Sequence, residues 1–120
     1  MRTDNKILII TKAFALRIIK LYRYLKEEHG EYVISKQILR SGTSIGANVR
    51  ESVNAQSRMD FINKMNIALK EANETEYWLE LLHESYFISD EEFSSINADC
   101  NEVVGTLVNI VRTTKTNAQA

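Results

Sequence analysis

Glu80-Leu81-Leu82-His83 is the nearest approach to a catalytic motif in this sequence. On a helix, Glu-x-x-His puts a carboxylate and an imidazole one turn apart on one face, the spacing by which helical bundles chelate paired metal ions. That chemistry needs a second copy on a facing helix. The other histidine, His29, follows Lys26 at the same interval, and an ammonium group cannot ligate a metal. No metal centre is therefore expected. Cys100 is the one cysteine; it falls at an apolar helical position with no histidine or basic residue within a turn to lower its pKa, so it reads as a small core side chain. Glu76 lies at the edge of an apolar face, where a polar contact that fixes helix register is expected. The serines form no nucleophile elbow, and Gly42 and Gly46 match neither a phosphate-cradling loop nor a dinucleotide fingerprint. No reaction and no cofactor is assigned, and a non-enzymatic protein is expected.

The residues with chemistry to offer a partner are the charged ones. Residues 1–60 hold 11 Lys or Arg against 6 Asp or Glu, and residues 61–120 hold 4 against 10, so a basic half and an acidic half make up the net charge of −1. Lys6, Lys12, Arg17, Lys20, Arg23 and Lys26 occur with no acidic residue between Asp4 and Glu27. Lys12, Arg17, Lys20 and Arg23, joined by Lys36 and Arg40 of the next segment, form a candidate nucleic-acid-binding face. About six phosphate contacts would give a slope of about −5 in log K against log salt on duplex DNA. The competing expectation, to which a pI of 6.1 lends weight, is that these cations are solvated or paired with acidic residues of helix three.

Four helices must position these groups. There is no proline and there are only four glycines, which favours long uninterrupted helices. Apolar or small residues recur at steps of four and three in each segment: Ile7, Thr11, Phe14, Ile18, Leu21 and Leu25; Ile38, Gly42, Ile45 and Val49; Phe61, Met65, Ala68, Ala72, Thr75, Leu79 and Leu82; Phe93, Ile96, Cys100, Val103, Leu107 and Ile110. Gly30 is a C-terminal stop, and Ser57 with Asp60 and Ser89 with Glu92 are capping boxes. The expected helices span 5–29, 35–55, 58–84 and 90–113, with a frayed polar tail after Arg112. Short loops make the neighbours antiparallel, so the expected fold is all-α, an up-down-up-down four-helix bundle forming a single domain over 1–120. The small-residue run Ser41 to Ala47 implies a kink or an unusually close neighbouring backbone. No stretch approaches the roughly 18 to 20 apolar residues of a membrane span, and Ile7 to Ile10 is too short for a secretory signal, so a cytoplasmic location is expected.

Two helices carry a second apolar stripe. Ile67, Trp78 and Leu81, with Tyr77 beside them, point away from the core face of helix three, and Ile9 and Leu16 lie almost opposite that of helix one. These residues are a candidate oligomer interface, with a groove for a partner helix as the alternative.

Ser44-Ile45-Gly46-Ala47-Asn48-Val49-Arg50-Glu51-Ser52, then Phe61-Ile62, Ile67-Ala68-Leu69 and Glu74-Thr75-Glu76-Tyr77-Trp78-Leu79, make up a pattern within residues 44–79 that carries a resemblance spanning nearly the whole chain. It resembles the bacterial 23S rRNA intervening-sequence proteins, four-helix bundles encoded in insertions within large-subunit ribosomal RNA genes or elsewhere in genomes. Its most specific parts are S-I-x-x-N-[IV]-x-E and F-I-x-x-x-x-I-A-L. Related proteins include the accessory protein of diversity-generating retroelements, a homopentameric ring with a basic surface that works with a reverse transcriptase and nucleic acid. The resemblance thus implies a homo-oligomer, a pentamer by preference, with RNA or a nucleoprotein as partner; a protein-interaction scaffold is the alternative. Asn48, Glu51 and Glu74 match the family's recurrent polar positions, where helix or subunit contacts are expected, whereas Gly46 and Ser52 depart from its usual proline and glycine.

Overall fold

The computed structural model describes the backbone of residues 5–119 and the side chains of residues 5–117. Helices α1 (Asn5–His29), α2 (Ile34–Ser52), α3 (Arg58–Glu84) and α4 (Asp90–Gln119) follow one another with short connections. They form a rod of 50 × 22 × 20 Å, an all-α four-helix bundle. Each helix packs along its sequence neighbour, and α1 meets α4 along the most sparsely packed seam. The core is a continuous column in which Ile7, Ile18, Leu25, Ile38, Ile45, Met65, Leu79, Leu82 and Leu107 are fully buried. These are the residues of the four-and-three spacing, so hydrophobic burial, at about 25 cal/mol per Å2, sets the facing of every helix.

The helix ends follow from local chemistry. Gly30, at φ 60°, ends α1 in the left-handed region that glycine enters without steric cost. Ser57 Oγ accepts from Asp60 N at 3.0 Å, and Asp60 Oδ2 accepts from Gln56 N rather than from Ser57 N, at 3.2 Å. Ser89 and Glu92 make the reciprocal pair in full, at 3.1 and 3.2 Å. The start of α2 uses a residue that periodicity does not reveal. Glu31 bends its carboxylate over the helix to accept from Val33 N, Ile34 N and Ser35 N at 3.1, 3.1 and 2.7 Å. Three of the four orphan donors of the first turn are satisfied in this way.

Two boundaries differ from expectation. Helix α2 stops at Ser52, and residues 53–54 form a turn. Helix α4 runs on to Gln119, past the expected end, with the Thr114 and Thr116 hydroxyls donating to the carbonyls of Ile110 and Arg112 at 2.7 and 2.9 Å within the helix. The small-residue run of α2 does not interrupt the helix. It marks a close approach: a Cβ on Gly42 would lie 2.8 Å from Ile18 Cγ1, and one on Gly46 would lie 3.5 Å from the main-chain carbonyl carbon of Thr11. Among the described residues no helix is long and apolar enough to cross a membrane.

Candidate nucleic-acid interface

The basic residues of α1 and α2 separate into two groups according to what the fold places beside them. Arg17 reaches across the sparse α1–α4 seam, donating from Nη1 to Asp99 Oδ2 at 2.7 Å and from Nη2 to Ser95 Oγ at 2.8 Å. Arg40 spans α2 and α3, donating to Glu71 Oε2 at 3.3 Å and to Glu74. Both are partners of carboxylates within the bundle, and Arg17 finds its acid on α4, where the sequence pointed to helix three. Lys12, Lys20, Arg23 and Lys36 are exposed and make no ion pair among the described residues.

The four unpaired cations do not share one groove. With about 100° of turn per residue, Arg23 stands on the outermost face of α1 between Lys12 and Lys20. Lys20 lines a cavity of about 320 Å3 in the α1–α4 seam with Leu21, Tyr24, Ile88, Glu92 and Ile96. Lys12 faces the other flank, a groove of about 330 Å3 between α1 and α2. The opposite wall of that groove carries Arg50, which is exposed and likewise has no ion pair among the described residues. Sequence reading passed over Arg50; the signal was the antiparallel pairing of α1 and α2, which brings the end of one helix beside the start of the other. Lys26 stands with its ammonium 4.8 Å from the Tyr22 ring centroid, and hydrogen bonding to Tyr22 raises its pKa above the ordinary lysine value.

The expected oligomer stripes are only partly exposed. Ile9 and Leu16 are 67% and 59% exposed, and Ile67 and Tyr77 are 42% and 53%. Trp78 and Leu81 are half-buried. Trp78 packs against the core cluster and donates Nε1 to Glu74 Oε1 at 3.3 Å, so its wheel position marks the flank that meets α2 and not an outer surface. The resemblance-derived polar positions are engaged within the chain: Asn48 Nδ2 donates to Ser44 O at 2.9 Å, Glu51 accepts from Lys64 Nζ at 3.4 Å, and Glu74 holds both Arg40 and Trp78. Glu51 and Glu74 thereby tie α2 to α3.

The groups considered for chemistry are placed structurally. His83 Nε2 lies 2.6 Å from Asp90 Oδ1 and its ring stacks on Phe93 at 4.2 Å, closing the α3–α4 turn. Its motif partner Glu80 is exposed. Among the described residues no three His, Cys, Asp or Glu side chains gather in a metal-binding group. Cys100 is wholly buried with Sγ 3.6 Å from Ala72 O, and burial, reinforced by the charge of Glu76, pushes its pKa up to about 12.

Comparison with known proteins places this geometry. A crystal structure of a protein of unknown function from the S23 ribosomal protein family of Bacteroides thetaiotaomicron superposes with a TM-score of 0.90 at 57% identity, covering 92% of this chain and 98% of the other. No curated protein matches the chain. The profile of the 23S rRNA-intervening sequence proteins matches residues 3–109, through all four helices as far as the last core turns of α4, and the chain belongs to that family.

Proposed function

We propose that this protein is a non-enzymatic, homo-oligomeric bundle subunit acting in the cytoplasm, which binds RNA or a nucleoprotein through the outer faces of α1 and α2. Its contacts are Lys12, Lys20, Arg23 and Lys36 with phosphate groups, and five copies is the assembly that likeness to the retroelement accessory protein implies. The observation that carries the reading is the division among the cations. Arg17 is neutralised by Asp99 and Arg40 by Glu71 and Glu74, whereas Lys12, Arg23 and Lys36 make no ion pair among the described residues, and neither does Lys20, although Glu92 lines the same α1–α4 cavity. Uncompensated charge at a surface attracts polyanions, and phosphate contacts release counterions. The test is titration of a structured RNA at several salt concentrations, with charge reversal at Lys20 and Arg23. Affinity that falls steeply with salt and is weakened by the reversal is expected; negligible affinity at low salt with the oligomer intact would refute the reading.

A protein-interaction scaffold is the second reading, supported by the exposed Ile9 and Leu16. Both stand on the outward face of α1 that also carries Arg23, so a protein docked there would cover part of the proposed RNA surface. Negligible RNA affinity at low salt alongside a captured protein partner would favour it.

A further inference from the structure

The α1–α2 groove joins features that the charge pattern alone does not reveal. Its two walls present Lys12 from α1 and Arg50 from α2, and its floor is Ala15, Gly46 and Ala47. The floor is shallow because Gly46 lets the two backbones approach, with the position of its missing Cβ 3.4 Å from Thr11 Oγ1. Cations from two helices thus reach one opening, whose lining also includes Leu8 of α1.

Their charge is left uncompensated for identifiable reasons. The acid adjacent to Arg50, Glu51, is turned about 100° around the helix and accepts from Lys64 of α3 at 3.4 Å. On the other wall, α1 has no acidic residue between its first turn and Glu27. Two like charges facing one opening repel, and an anion between them removes that repulsion. Guanidinium matches a phosphate in a bidentate fork, and lysine adds a point charge.

The groove's hydroxyls define what else it can read. Thr11 Oγ1 donates to Ile7 O and Thr43 Oγ1 donates to Leu39 O, each at 2.7 Å, so neither proton is available to a ligand. Among the described side chains of the groove only the two cations remain as donors, and a contact they make to phosphate carries no sequence information.

We propose that the groove between Lys12 and Arg50 seats a backbone phosphate of RNA and binds it without regard to sequence, an inference that rests on the outer α1–α2 side being the RNA-contacting surface. The test uses the full chain with two RNA hairpins of equal length and different sequence, and with phosphatidylglycerol vesicles. Lys12→Gln with Arg50→Gln should lower affinity roughly tenfold at low salt and reduce the salt slope by about two, equally for both hairpins. Ala47→Leu, at an exposed helical position, should fill the floor and weaken binding several-fold with charge and helicity unchanged. If the parent protein binds RNA and Lys20→Glu with Arg23→Glu weakens it, yet the groove variants bind as well as the parent, the groove is overturned and the wider RNA reading survives. If the parent binds no RNA at low salt, both fall. Loss confined to one hairpin would overturn sequence independence, and loss of vesicle binding alone would overturn the choice of RNA.

Discussion

Gly42 of α2 sits against Ile18 of α1 so closely that a Cβ in its place would lie 2.8 Å from both Cγ1 and Cγ2 of the isoleucine. Ile18 is wholly buried and cannot swing into solvent. Gly42→Ala therefore sets two effects against each other: overpacking, which costs about 1 to 3 kcal/mol, and the helix propensity of alanine, which returns about 1 kcal/mol. Overpacking should win. Gly105 of α4 has nothing within 4 Å of its Cβ position, so Gly105→Ala gains propensity without a clash. Thermal melts should show Gly42→Ala destabilised and Gly105→Ala stabilised by about 0.5 to 1 kcal/mol. A stabilised Gly42→Ala would contradict the close approach of α1 and α2.

The paired arginines should act on the fold and not on RNA. The side chains of Arg17 and Arg40 are 36% and 52% exposed, so solvent screening limits each to about 1 kcal/mol or less, with Arg40 the costlier because it leaves the nearly buried Glu71 without its partner. Arg17→Gln and Arg40→Gln should each lower the melting temperature by a few degrees and leave RNA affinity within about a factor of two. Melting and RNA titration on the same preparations check this. An affinity loss matching that of Lys20→Glu with Arg23→Glu would return the two arginines to the binding face.

What could be read from the sequence was whatever repeats or acts locally. The core of α3 from Phe61 to Leu82 and the caps at Ser57 and Ser89 depend on residues within one or two turns of each other, so spacing suffices to find them. Trp78 was assigned to an outer stripe because a helical wheel knows one core direction, while a bundle helix also packs part of its flanks against the core. The pairing of Arg17 with Asp99 joins residues 82 apart in the chain, and which cations remain unpaired is settled only after such contacts form. Arg50 was hidden for the same reason: its relation to Lys12 exists only once α1 and α2 lie antiparallel. Glu31 escaped because the residue at the N-cap itself, Val33, has no capping side chain.

Glu31 gives stability a defined dependence on pH. Burial acts to raise its pKa, but hydrogen bonds from the backbone N–H groups of Ser35, Ile34 and Val33 outweigh this and hold it below the ordinary 4.5. A carboxylate with a lower pKa in the folded than in the unfolded chain contributes in full above the unfolded value and loses that contribution as pH falls through the folded one. Glu31→Ala should therefore cost about 1 kcal/mol at neutral pH. The gap from the parent should narrow as pH drops below 4.5. Denaturant melts of both proteins across that range measure it; a gap that widened on acidification would have the wrong sign for this cap.

Cys100 should be silent in the native protein. Its thiol is wholly buried, and its pKa of about 12 leaves almost no thiolate at mildly alkaline pH. Modification by a thiol reagent should proceed no faster than the opening of the α3–α4 packing that covers it. The labelling rate should rise with denaturant in step with unfolding. Rapid labelling of fully folded protein would remove Cys100 from the core.

The apolar residues left outside the core test the assembly. Ile9 and Leu16 on α1, and Ile67 and Tyr77 on α3, are each at least 42% exposed. Removing such side chains from water is worth about 25 cal/mol per Å2 of apolar surface, and side chains outside the core of one subunit can realise this only against another molecule. Leu16→Lys with Ile67→Lys changes no core contact, so helicity and melting of the separated subunit should persist while the mass in solution falls toward that of one chain. Trp78→Ala should behave differently: losing the packing of a half-buried indole and its bond to Glu74, it should lower stability before it alters mass. Sedimentation equilibrium with parallel melts separates the two outcomes. A parent protein already monomeric at high concentration would refute the assembly and leave these side chains to a different partner.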